Sequence, residues 1–131
     1  MGPKAGPFLV LGLTLGSGCG GPSDIEPCSG DVAVSIVRFD PPQFSWEPGC
    51  ALSSLVVLDA ADQPFWLVGD NGDNRIEPPV IYGVVPDGAS EEVPPRAFQH
   101  GNSYIVRVFR VRRDRSGELQ HFQAGEQNFP W

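Results

Sequence analysis

From Asp31 onward, apolar residues occur in short runs or alternate with polar ones, and no stretch repeats them at helical spacing. Gly, Pro, Asn and Asp separate the runs. Period-two alternation between such turn residues is typical of β-strands. We therefore predict seven strands, at residues 32–37, 43–46, 52–58, 63–68, 79–85, 102–112 and 118–124. Between the fifth and sixth strands we expect a polar loop, from Pro86 to Pro95. Seven short strands at this spacing predict an all-β, antiparallel, two-sheet sandwich.

The longest predicted strand, residues 102–112, has two chemically different faces. Tyr104, Val106 and Val108 share one face because alternate strand residues point the same way. We expect this face to lie in the core. The opposite face, which begins with Ile105, also has apolar members. It is therefore either covered by a loop or a contact surface.

The first nineteen residues form a different kind of segment. One Lys at position 4 precedes an apolar run from Phe8 to Leu15, which is typical of an export signal and too short for a membrane span. The following Gly16-Ser17-Gly18-Cys19 resembles a lipobox, in which the cysteine is acylated and becomes the mature N-terminus, although Gly16 replaces the usual aliphatic residue. This predicts a lipoprotein signal peptide at residues 1–18 and lipidation at Cys19. The alternatives are an ordinary cleaved secretory peptide or a misread core strand.

The predicted signal is followed by a short connecting segment. Residues 20–28 are small, polar and contain two prolines, as expected of a tether between a lipid and a domain. We therefore divide the chain into a signal at 1–18, a tether at 19–30 and a folded domain at 31–131. Acyl chains on Cys19 would hold that domain at the surface of a bacterial membrane, in the cell envelope.

Two further cysteines, Cys28 and Cys50, form an even pair once Cys19 is set aside. An exported domain lies in an oxidising compartment, where such a pair is usually a disulfide. If residues 32–37 and 43–46 form a hairpin, its open end brings the two cysteines together. A metal site is the alternative, but two cysteines without a flanking histidine are a weak zinc pattern.

The charge balance restricts the partners. Without residues 1–18 the chain keeps eight Arg against sixteen Asp and Glu, a formal charge of −8. This argues against nucleic-acid binding, which requires a positive field. It also gives no attraction to an anionic membrane surface, so the lipid on Cys19 would have to provide the anchor.

Three motifs together resemble a fibronectin type III-like (immunoglobulin-like) sandwich. They are Phe44-Ser45-Trp46, Tyr82-Gly83 followed by Pro86, and the run from His100 to Val108. More narrowly, they resemble the versions carried by bacterial lipoproteins of unassigned role, over about residues 31–125. The resemblance implies that Trp46 fills the core and that the Tyr104 hydroxyl bonds the chain just upstream. It also implies a binding or spacer module, although a fold alone does not establish a function. The short second strand and the cysteine pair depart from the general pattern.

Two polar clusters are candidate ligand sites. Asp70-Asn71-Gly72-Asp73-Asn74 offers carboxylates at Asp70 and Asp73 for a cation, but it lacks the EF-hand spacing and also reads as a tight turn. Arg107, Arg110 and Arg112 lie on the long predicted strand. They would suit an anionic glycan or a lipid headgroup, or they form a solvated strand face.

Catalytic motifs are not apparent. His100 and His121 are far apart in sequence, and the chain has no Gly-x-Ser-x-Gly, HExxH or Gly-rich phosphate loop. Phe65, Trp66 and the run Phe129-Pro130-Trp131 are candidates for an exposed aromatic platform for sugars or a partner. However, Trp66 alternates as a core residue would, and the alternative for Trp131 is that it closes the edge of the sandwich. The sequence therefore predicts a non-catalytic envelope protein that needs no metal or cofactor and acts in binding, scaffolding or assembly with an envelope protein or glycan. The alternatives are a secreted carbohydrate- or peptide-binding module and, more distantly, an envelope hydrolase.

Overall fold

The computed structural model describes residues 28, 30–37 and 40–131. The predicted signal peptide at 1–18 and the lipidation site Cys19 lie outside these residues. Of the predicted tether, only Cys28 and Gly30 lie within them.

The described part of the chain is all-β, as predicted. It contains no helix, and so none that is long and apolar enough to cross a membrane. Its strands, numbered in chain order, are β1 (Ala33–Val37), β2 (Gln43–Glu47), β3 (Ser54–Asp59), β4 (Pro64–Gly69), β5 (Val80–Ile81), β6 (Ser90–Val93), β7 (Ser103–Arg113) and β8 (Leu119–Pro130).

These strands form two antiparallel sheets. One has the order β1-β2-β5, and the other has the order β6-β4-β3-β7-β8. The β1–β2 hairpin pairs Ala33 with Glu47, and the central strand β3 pairs with both β4 and β7. The predicted two-sheet antiparallel architecture is therefore confirmed, and it is compatible with a sandwich.

A single apolar cluster lies between the sheets. The small sheet contributes Val34, Phe44, Trp46 and Val80, and the large sheet contributes Leu55, Val57, Trp66, Val68, Tyr104, Val106 and Val108. Burial of these side chains is the main favourable term in folding, at about 25 cal/mol for each Å² of apolar surface removed from water. The opposite face of β7, which includes Ile105 and Arg107, is half-buried.

One side of the molecule is closed where the two sheets meet. The Val32 amide donates to the Ala124 carbonyl of β8 over 2.8 Å. At that point the pairing of β7 with β8 is irregular, between Val108 and Phe109. A Cβ added at Gly125 would lie 2.5 Å from the Val32 carbonyl oxygen, so the close approach requires glycine.

Eight strands, rather than the predicted seven, lie in the described residues. The expected loop from Pro86 to Pro95 contains β6, which pairs with β4 on one side only. Its Glu91 and Glu92 are exposed, as charged side chains often are on an edge strand, and this polarity conceals the strand in the sequence. The last strand continues past its predicted end at Ala124, because Ala124 is the extra residue of an irregularity within the strand and not its end.

Candidate functional site

A disulfide and two hydrogen bonds stabilise the corner of the molecule at which Cys28 and Cys50 lie. A disulfide joins the two cysteines, with their Cα atoms 5.5 Å apart. The Arg110 guanidinium, from the opposite sheet, donates to the carbonyl of Cys28 and, over 3.0 Å, to that of Ala51. The disulfide is thus connected to both sheets.

Trp46 and Tyr104, the two aromatic residues for which the family resemblance implies a role, are buried. Trp46 is 1% exposed, and its indole Nε1 donates to the Cys50 carbonyl over 2.6 Å. Tyr104 is 2% exposed, and its hydroxyl accepts a hydrogen bond from the Gln99 amide, five residues upstream, over 2.9 Å.

The predicted cation candidate Asp70 organises the loop that follows it. Its carboxylate accepts hydrogen bonds from the amides of Gly72, Asp73 and Arg75 and from the Ser53 hydroxyl. Burial alone would raise the pKa of Asp70, but these hydrogen bonds outweigh burial, and the pKa is lowered. The carboxylate is therefore occupied by the loop itself, as the turn interpretation expects.

The carboxylate of Asp73, the second cation candidate, is paired with Arg75. It lies 3.5 Å from the Arg75 guanidinium in an exposed ion pair, which contributes little to stability. Within the described ranges, no three His, Cys, Asp or Glu side chains are grouped so that they could hold a metal ion.

A cleft of about 400 Å³ beside Asp70 brings Ser53, Ser54, Glu92 and His121 together. A cleft that joins a histidine to a serine and an acid is the feature that would favour the hydrolase alternative. However, the Ser53 hydroxyl donates directly to Asp70 over 2.9 Å. In a catalytic triad the imidazole lies between the serine and the acid, so the Ser53–Asp70 pair does not have that arrangement.

The three candidate arginines do not form one site. Arg107 pairs with Glu126 over 3.0 Å, and Arg110 holds the two carbonyls at the disulfide corner. The Arg112 guanidinium lies 4.7 Å from the centroid of the Phe122 ring. Each guanidinium thus has a different partner.

An aromatic cluster at one end of the molecule is centred on Phe98, which lies in the connection between β6 and β7. The Phe98 ring centroid lies 4.3 Å from that of Tyr82, 4.6 Å from Tyr104 and 4.9 Å from Trp131. One feature of the sequence could have indicated that Phe98 is buried. It lies six residues before Tyr104, whose hydroxyl was expected to bond the chain just upstream.

Tyr82 fixes the connection beside Phe98. Its hydroxyl lies 2.7 Å from the Arg96 carbonyl oxygen and 3.0 Å from that of Phe65, and it accepts a hydrogen bond from the Arg96 amide. Burial raises the pKa of Tyr82 to about 12. The hydroxyl therefore stays protonated and structural at physiological pH.

Next to this cluster is a second open cleft, of about 310 Å³. Its lining includes the ring-bearing residues Pro41, Phe98 and Trp131 and the polar residues Asp40, Arg96 and His100. His100 and Trp131 stack with their centroids 6.3 Å apart and their planes 17° from parallel.

Comparison with protein-family models, with curated proteins and with solved structures finds no match for this chain.

Proposed function

We propose that this chain is an exported, lipid-anchored protein of the bacterial cell envelope, and that residues 31–131 act without catalysis in binding, scaffolding or assembly. The apolar run Phe8–Leu15 followed by Cys19 supports export and acylation. The acidic composition of the rest of the chain supports a protein or glycan partner over a nucleic acid.

The observation that carries this proposal is the disulfide between Cys28 and Cys50. Disulfides persist in oxidising compartments outside the cytosol, which agrees with export. Because this bond uses two of the three cysteines, Cys19 is left as the odd thiol directly after a signal-like stretch. Acylation accounts for that remaining cysteine.

The order of the strands supports the likeness to a fibronectin type III-like sandwich. One sheet contains the first, second and fifth strands, and the other places β4, β3, β7 and β8 side by side. Trp46 lies on the second strand and Tyr104 at the start of the long seventh strand, with the contacts described above. Strand β6 is an addition at the edge of the larger sheet.

A secreted carbohydrate- or peptide-binding module is the second candidate. It is favoured by the aromatic cleft at Trp131, whose walls and polar groups suit a small ligand. A lipid anchor and a ligand cleft are compatible, so the two candidates differ in where the protein is found and not in its fold.

The envelope hydrolase is the most distant candidate, and the cleft at His121 is the observation that supports it. A test is hydrolysis of p-nitrophenyl acetate by the wild-type protein and by His121→Ala. The non-catalytic proposal predicts equal rates for both proteins, no faster than for an unrelated protein of similar composition. A rate that falls at least about tenfold in His121→Ala would favour the hydrolase.

The anchor is tested by growing a bacterial host that expresses the chain with labelled palmitate and separating membrane from soluble fractions. We expect the label and the protein in the membrane fraction. Cys19→Ser removes the label, whereas the double variant Cys28→Ser/Cys50→Ser retains it. Labelling that survives Cys19→Ser, or unlabelled wild-type protein in the soluble fraction, would contradict the proposal.

A further inference from the structure

The cleft at Trp131 has the fixed walls that a binding site needs. The Trp131 amide donates to the Asn102 carbonyl over 2.9 Å, and the Gly101 amide donates to the Trp131 carbonyl over 3.1 Å. The Trp131 ring also contacts Phe98 and His100. The aromatic surface is thus held in place before any ligand arrives, which lowers the entropic cost of binding.

The cationic group of the cleft is also held in place. Both main-chain polar groups of Arg96 bond the Tyr82 hydroxyl, and its guanidinium carbon lies 4.4 Å from the centroid of the Phe65 ring. A guanidinium stacked on an aromatic ring keeps its edge N–H groups available to a further acceptor. Asp40 and His100, both exposed, add polar groups on the same cleft.

The chemistry of the cleft restricts its ligand. Aromatic rings accept a flat, weakly polar face, and an arginine donor and an aspartate acceptor that line the same cleft suit a ligand that carries many hydroxyl groups. A formal charge of −8 on the chain without residues 1–18 disfavours a polyanion. A volume of about 310 Å³ is at the small end of ligand sites.

From these observations we infer that the cleft between Trp131, Phe98 and Arg96 binds a neutral saccharide of one or two pyranose rings. A ring's C–H face lies on Trp131 and Phe98. Its hydroxyl groups donate to the Asp40 carboxylate and accept from the Arg96 guanidinium and the His100 imidazole. The inference rests on the proposed non-catalytic binding role and names the ligand class for it.

The three tryptophans of the chain provide a direct test. All of them lie in the described residues, and Trp46 and Trp66 are fully buried whereas Trp131 is half-buried. The whole chain, labelled with ¹⁵N, is titrated with cellotriose, chitotriose and maltotriose while its indole N–H resonances are followed. We expect saturable movement of the Trp131 resonance with at least one trisaccharide and stationary signals for Trp46 and Trp66.

Matched variants separate the cleft from general surface effects. We expect Arg96→Ala and His100→Ala each to weaken binding at least about tenfold. Arg112→Ala removes another guanidinium stacked on a phenylalanine ring, and His121→Ala removes the other histidine; both should bind as the wild type does. Unchanged Trp46 and Trp66 resonances in each variant verify that it is folded.

Several results would overturn the inference. They are a stationary Trp131 resonance with all three trisaccharides, binding by Arg96→Ala and by His100→Ala that is as tight as that of the wild type, and, in a parallel titration with a proline-rich peptide, a Trp131 shift that the peptide alone produces. The anchor is judged separately. A palmitate-labelled protein whose Trp131 does not respond refutes the saccharide site alone, and an unlabelled soluble protein whose Trp131 responds refutes the anchor alone.

Discussion

The indole nitrogen of Trp46 donates a hydrogen bond to the main-chain oxygen of Cys50 over 2.6 Å. Trp46 is 1% and Cys50 4% exposed, so the bond lies inside the core. Because Cys50 is also bonded to Cys28, the central tryptophan and the disulfide support the same corner. Their stabilising effects should therefore depend on each other.

The first prediction is that coupling. Replacing both cysteines by serine removes a cross-link between residues 22 apart and should lower the free energy of unfolding by about 3 kcal/mol. Trp46→Phe leaves the Cys50 carbonyl without its donor and should cost about 2–3 kcal/mol. In the serine background the Trp46→Phe cost should be smaller by at least about 0.5 kcal/mol. Guanidinium denaturation of the four proteins measures the coupling, and strict additivity would contradict it.

The second prediction compares two arginines on β7. Arg110→Leu leaves the carbonyls of Cys28 and Ala51 without their donor, so we expect a loss of about 1–3 kcal/mol in the free energy of unfolding. Arg107→Leu removes only a partly exposed ion pair with Glu126 and should cost less than about 1 kcal/mol. Urea denaturation of both variants measures the two losses in the free energy of unfolding. An Arg107→Leu loss as large as that of Arg110→Leu would show that position on the strand matters more than the bonded partner.

The third prediction concerns how the stability of the protein depends on pH. Because the pKa of Asp70 is lowered in the folded protein, its charged form adds stability above its unfolded pKa, and that stability is lost as the pH falls through the folded value. Asp70→Asn should therefore destabilise the protein at neutral pH by about 2 kcal/mol.

The difference between wild type and Asp70→Asn should then shrink below about pH 4, as the wild-type carboxylate becomes protonated. Denaturation at a series of pH values measures it. Asp73→Asn, which alters only an exposed pair with Arg75, should be nearly neutral throughout. A difference for Asp70→Asn that stays constant down to about pH 2 would exclude the described role of the carboxylate.

The fourth prediction tests the contact between the two sheets. Gly125→Ala would place a Cβ 2.5 Å from the Val32 carbonyl oxygen. Both the added Cβ and this oxygen are fixed to the main chain, so neither can move aside as a flexible side chain would. We expect a loss of about 1–3 kcal/mol in the free energy of unfolding. Gly49→Ala is the control, because its Cβ would meet only Pro78 at 3.6 Å, an ordinary contact. Thermal unfolding of both variants provides the comparison, and similar stability for the two would refute the close approach.

Sequence reasoning succeeded where one face of a strand is continuously apolar. The alternation of Tyr104, Val106 and Val108 predicted a buried face, and all three side chains lie in the core. Strand β6 was missed because its residues are polar and it pairs on one side only. Its Glu91 accepts the Trp66 indole N–H over 2.8 Å, a contact between residues 25 apart that no local pattern reveals.

The candidate sites differ in the same way, according to whether they depend on local sequence or on contacts between distant residues. The Asp70 loop is a local turn, and its composition already indicated one. The grouping of Arg96, His100 and Trp131 depends on how β8 ends against the connection before β7, and this is tertiary information. Phe98 gains its importance from rings that lie on four different segments of the chain.

The most direct test of the central claim is the intact mass of the protein extracted from membranes, combined with peptide mapping. We predict a chain that begins at Cys19 and carries diacylglyceryl there, together with a two-hydrogen deficit assigned to Cys28 and Cys50. A protein recovered from the soluble fraction with an unmodified Cys19 would contradict it.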